Sequence, residues 1–123
     1  MRNQLKNVVR VTGIGALAFL ANLGPAFGAE ADGALLYDMY CVQCHGTQGN
    51  GKGINASHIN VQPRSHIDKG EMSARSDAEL FKVIAEGGPA INKSVLMPAW
   101  RHNLNESEIE ALVAHLRKLC CEN

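Results

Sequence analysis

The sequence has no basic tract, no strand-like alternation, and no internal repeat or low-complexity segment. Beyond residue 31 it also has no apolar run near the roughly 20 residues that cross a bilayer. Without clustered Lys and Arg, a nucleic-acid partner is excluded. Without strand patterns, an all-α fold stands alone. Acidic residues are missing before Glu30, whereas Arg2, Lys6 and Arg10 make the start basic. Val11 to Leu23 is then apolar except for Thr12, Asn22 and two glycines, Gly24-Pro25 interrupts it, and small residues follow. That order reads as a cleavable secretory signal peptide over 1–31, with cleavage after Ala31 preferred to cleavage after Gly28. The uncharged stretch is too short to favour an uncleaved anchor.

Export makes the domain over 32–123 periplasmic and leaves 92 residues (123 less 31). Of 12 Lys/Arg, three lie in the leader, and of 12 Asp/Glu, only Glu30 does, so the mature domain carries a net −2. All four cysteines, Cys41, Cys44, Cys120 and Cys121, lie in the exported part, where disulfides persist. A domain this short buries a modest core and calls for a staple, a metal or a cofactor.

Three helices are expected. The first runs from about Gly33 to Cys44, with Leu35, Leu36, Met39 and Tyr40 as its apolar face. The second begins at Ser76, where Ser76-x-x-Glu79 forms a capping box. It carries Leu80, Phe81 and Ile84 on one face and ends at Gly87-Gly88-Pro89. The third begins at Asn105 and shows the stripe Ile109, Leu112, Val113, Leu116 and Leu119. The segments 46–75 and 87–102 are long and polar for loops in so small a domain. A bulky apolar cofactor would give them something to wrap around.

The stretch Cys41-Val42-Gln43-Cys44-His45-Gly46-Thr47-Gln48-Gly49-Asn50-Gly51-Lys52-Gly53 carries the chemistry. Its second half is close to a phosphate loop, but Gly53 stands where Ser or Thr would hold magnesium, and no strand precedes it. The glycines then serve to turn the chain away. A thioredoxin-like pair lacks its βαβ context. Zinc lacks a second Cys/His pair at short spacing, because Cys120 and Cys121 are adjacent. Haem attachment fits the spacing. Cys41 and Cys44 share one helix face, so both thiols reach the vinyl groups along one haem edge. His45 then supplies the proximal ligand. A sixth ligand must come from Met39, Met72 or Met97, the only methionines after the leader. Met39 is too near the attachment site. Met72 lies in a polar loop, and Met97, stiffened by Pro98, is preferred.

In this order, "GALLYDMYCVQCHGTQGNGKG", "SDAELFKVIAEGG", "LMPAW" and "LNESEIEALVAHLRKL" resemble the class I, small mono-haem c-type cytochromes over nearly all of 32–119. The resemblance implies an all-α cytochrome c fold whose first and last helices cross, around one covalently attached haem c. It implies thioethers at Cys41 and Cys44 and axial ligation by His45 and Met97. Gly33 and Tyr37 would lie at the crossing against Leu112, His115 and Leu116.

Three positions depart from the family pattern. Ile54 stands where many relatives carry Pro, so the carbonyl of Ile54 or a neighbour is expected to hold the proximal imidazole's other nitrogen. His115 replaces a usual aromatic and reads as packed or surface histidine. Cys120-Cys121 has three readings: a bridge to a partner or second copy, a vicinal disulfide, or free thiols, the first being preferred. His58, His66 and His102 read as solvated loop residues. Trp100 and Arg101 read either as haem-propionate contacts or as packing beside the haem.

The expected function is one-electron transfer between Fe(III) and Fe(II), with no bond of a substrate broken. Redox partners would dock transiently at the haem edge. The rival readings are a haem-based gas-binding or sensor protein, in which Met ligation is weak or absent, a small haem enzyme such as a peroxidase, and a cytochrome subunit of a larger oxidoreductase.

Overall fold

The computed structural model describes residues 30–122. The expected leader therefore lies outside the described residues, apart from Glu30 and Ala31. Among the described residues there are five α-helices and no strand: α1 Gly33–Tyr40, α2 Val42–His45, α3 Lys69–Ser73, α4 Asp77–Glu86 and α5 Glu106–Cys121. Single 3-10 turns lie at Ala56–His58 and Gly88–Ile91. No described helix is long and apolar enough to cross a membrane.

The first expected helix is two helices. Asp32 caps α1 by accepting from the N–H groups of Ala34 and Leu35. The chain then bends at Cys41, whose carbonyl accepts from Cys44 and His45. The expected face is also corrected. Leu35 and Met39 are each 58 % exposed, whereas Tyr37 is 1 % exposed and Leu36 and Tyr40 pack against the core. Gly33 explains the choice. A Cβ there would fall 2.0 Å from the Ala111 carbonyl oxygen of α5, so the backbones touch and the Gly33, Leu36, Tyr37 and Tyr40 side must face inward. The crossing of first and last helices is as the resemblance implied. Tyr37 meets the His115 ring there, centroids 5.1 Å apart, and His115 is packed, its pKa lowered by burial.

The other two helices follow their sequence signals. Ser76 with Glu79, and Asn105 with Glu108, both form capping boxes. Leu80, Ile84 and Ala85 of α4 are buried, with Phe81 packed at the core's edge. Ile109, Leu112, Val113 and Leu116 of α5 complete the core, with Leu119 partly covered. Helix α3 was not legible. It has five residues and one buried side chain, Met72, which is too little for a period to show. Arg117 of α5 holds this corner. It donates to Asp77 at 2.7 Å, to the Met72 carbonyl at 2.8 Å and to the Arg75 carbonyl at 2.5 Å.

At the end of α5, Cys120 and Cys121 are disulfide-bonded to each other. Of the three readings the sequence allowed, the structure has the vicinal bond rather than the preferred bridge to a partner. Cys120 is buried in the core, and Cys121 sits beside the Ser73 hydroxyl of α3.

Candidate functional site

Among the described residues, helices and loops surround a mostly apolar cavity of about 380 Å³, within the range of cofactor pockets, about 300–1,000 Å³. Its apolar wall comes from both strong helices and the loops, with Leu80 and Ile84 from α4, Leu112 and Leu116 from α5, and Ile59 and Val61 between. Cys41, Cys44, His45 and Met97 all line it. Four residues that the sequence singled out, more than fifty positions apart at the extremes, therefore face one space. Met72 lines it too, but as a side chain 1 % exposed on α3 and packed in the core.

Cys41 and Cys44 are free thiols, although both sulfurs of the Cys120-Cys121 pair are bonded. Burial, then the neighbouring Cys44, pushes the Cys41 thiol up to about 12. A redox or metal thiolate needs the opposite shift. No group of three or more metal-ligating side chains of His, Cys, Asp or Glu gathers among the described residues.

His45 is oriented from behind. Its Nδ1–H donates to the Arg64 carbonyl oxygen at 2.9 Å. Burial lowers its pKa while that bond raises it, so the ring is neutral, with its proton on Nδ1 and the Nε2 lone pair free for a metal. The expected carbonyl of Ile54 does not take this role. Ile54 is 74 % exposed, and the chain must run on past Pro63 before a carbonyl reaches the ring. The glycine run makes this possible. Gly51 N–H donates to His45 O and Gly53 N–H to Cys44 O, and a Cβ at Gly51 would lie 2.6 Å from the Pro63 carbonyl oxygen. The run therefore folds back on the motif rather than leading away from it. The glycine spacing at 46, 49, 51 and 53 was the one sequence cue to such close approach.

His66 is a second correction. It is not a solvated loop residue: its ring lies parallel to His45, centroids 4.1 Å apart and planes at 18°. Its Nδ1 is 2.9 Å from the Tyr37 hydroxyl. Burial raises the Tyr37 pKa, so the hydroxyl keeps its proton and donates. Burial first, then the neighbouring His45, Arg64 and His115, pushes His66 down to about 3. His58 and His102 are exposed, as expected.

Met97 is held by backbone contacts. Gly88 N–H donates to its carbonyl at 2.9 Å, and its own N–H donates to Ser94 O. Gly87 has φ +82° and would bring a Cβ to 2.8 Å from the Met97 oxygen. The end of α4 is therefore built to receive this loop, and Trp100 N–H to Ile84 O and Arg101 N–H to Ala85 O fasten its far side. Trp100 lines the cavity and packs on Tyr40, centroids 5.1 Å apart. Arg101 pairs with Glu86 at 3.0 Å on the surface. The cations on the cavity wall are Arg64, Arg75 and Lys93.

An all-α shell folded around one cavity, with two free thiols and an oriented neutral imidazole in Cys-x-x-Cys-His order on its wall, is a c-type cytochrome domain. One such motif fits one covalently attached haem c. The chain belongs to the family described as cytochrome c oxidase, cbb3-type, subunit III, whose model matches residues 28–116. It is similar to the solved KustC0563 c-type cytochrome, at 28% identity and a TM-score of 0.59, over 72% of this chain and 98% of that one. It is also similar to a chain of the Kuenenia stuttgartiensis reducing HAO-like protein complex Kustc0457/Kustc0458, at 26% identity and a TM-score of 0.58. That match covers 72% of this chain and 41% of the other, so this chain spans under half of that relative. No curated protein matches the sequence.

Proposed function

We propose that the chain is a periplasmic, class I mono-haem cytochrome that passes single electrons between redox partners and breaks no substrate bond. The leader over 1–31 would export it. In this reading Cys41 and Cys44 hold the haem through thioethers, His45 Nε2 is the proximal ligand, and the Met97 thioether is the distal one. The bound haem supplies a one-electron Fe(III)/Fe(II) couple, whose potential a Met ligand raises. The observation that carries the reading is His45: a half-buried neutral imidazole, aimed by the Arg64 carbonyl, on the same cavity wall as two unbonded thiols. Apolar side chains line most of that cavity, and Met97 lines it from a loop clamped by Gly87 and Gly88.

The family's description supports a second reading, a cytochrome subunit within a larger oxidoreductase. Similarity to one chain of a multi-protein redox complex favours it too. In both readings the residues do the same work and only the partner differs. Carbon monoxide titration of the reduced protein tests the shared core. Slow or absent binding at neutral pH, with a Met–iron charge-transfer band in the oxidised form, is expected. Rapid binding without that band would replace electron transfer by gas binding. Affinity purification from the native periplasm then separates a free carrier from a stably held subunit. A partner bridge through Cys120 or Cys121 would first require exchange of their mutual disulfide.

A further inference from the structure

Among the described residues, the His66 ring is the one aromatic group stacked on His45, and electron transfer alone assigns it no task. Four contacts fix it. Its ring lies 4.1 Å from that of His45, its Nδ1 accepts from Tyr37, and its backbone N–H donates to Gly49 O. The fourth is the chain itself, since Arg64, two residues earlier, supplies the carbonyl that takes the His45 proton. Tyr37 is anchored in turn at the crossing of α1 and α5, 1 % exposed. Gly49 has φ +70°, and a Cβ there would crowd Leu119 at 3.1 Å and touch the His66 Cβ at 3.4 Å and the Tyr37 hydroxyl at 3.5 Å, so the glycine lies against both side chains. The segment 64–66 thus grips the His45 imidazole twice, in its plane through the carbonyl and on its face through the stacked ring.

We propose that His66 is a positioning residue for the proximal ligand, fixing the rotation of the His45 ring and keeping its Nδ1–H on the Arg64 carbonyl. This rests on His45 being the haem's proximal ligand. A hydrogen bond from a ligand's other ring nitrogen makes the ligand more basic, and a more basic ligand favours the ferric form. Loosening that bond therefore raises the potential. A hydrogen bond alone leaves the imidazole free to rock about its Cβ–Cγ axis. The stacked face removes that freedom, and Tyr37 holds the stacking ring in place.

The test uses holoprotein with His66→Leu, His66→Phe and Tyr37→Phe. The readouts are the potential and the electron paramagnetic resonance spectrum of the ferric form, whose g-values report axial-ligand orientation. His66→Leu removes the stack at similar size. It is expected to change the g-values and shift the reduction equilibrium toward Fe(II) by about threefold or more, tenfold being about 59 mV for one electron. His66→Phe keeps a stacking ring but loses the Tyr37 hydrogen bond, so its g-values should move no further than those of Tyr37→Phe and less than those of His66→Leu. Tyr37→Phe removes one hydroxyl from a buried ring and should shift both readouts in the direction of His66→Leu, by less. Should His66→Leu fold poorly, the other two variants still decide. Parent spectra and potential in Tyr37→Phe and His66→Leu, with only thermal stability reduced, would overturn the proposal, as would His66→Phe behaving like His66→Leu. If His45 were not the ligand, the unsubstituted protein would already lack the low-spin His-ligated signal, which separates the two failures.

Discussion

Met97 and His45 show how differently two proposed ligands can be specified at the scale of single residues. His45 is named by its covalent neighbours, because thioether chemistry fixes the Cys-x-x-Cys-His spacing. Met97 has no local motif, and only its place before the last helix and beside Pro98 marked it. Replacing Met97 by Ala should abolish the charge-transfer band, open the iron to carbon monoxide and lower the potential. A variant unchanged in all three would remove Met97 from the site. Arg64 and His66 were not legible. Both lie in a segment without period, and their contacts with His45 arise only when the glycine run brings 63–66 back to the motif.

At the scale of elements, what sequence could read was what local chemistry decides. Both capping boxes and the α5 stripe are set by neighbours three or four residues apart, and both were legible. The inward face of α1 was not, because Gly33 sets it by touching a helix almost eighty residues away. Gly33→Ala should force α1 from α5 and destabilise by about 1–3 kcal/mol. In a domain this size that lowers Tm by about 4–8 °C per kcal/mol, which thermal unfolding followed by circular dichroism measures. The α4 cap adds a pH dependence. Hydrogen bonds from the Ser76 backbone and side chain hold the Glu79 carboxyl below its usual value of 4.5. A group depressed on folding stabilises above its unfolded pKa and loses that contribution as pH falls through the folded value. Stability should therefore decline on acidification below the ordinary Glu range, and less steeply in Glu79→Gln. Equal slopes in the two proteins would contradict this assignment.

For the whole molecule, the long irregular segments are explained by what they surround. The loops 46–68 and 87–105 close a cavity at the heart of the fold, and the cofactor would act as part of the core. The bonded pair Cys120-Cys121 predicts a monomer on non-reducing electrophoresis, with mobility unaffected by reductant. A dimer band lost on reduction would restore the intermolecular bridge. The account stands on covalent attachment, and one measurement reaches it directly: acidic organic extraction of denatured holoprotein, followed by mass analysis of the peptide spanning residues 41–45. The account predicts that haem stays with the protein and adds its mass to that peptide, with neither Cys41 nor Cys44 open to alkylation. Haem released into the solvent, leaving two alkylatable thiols, would contradict it.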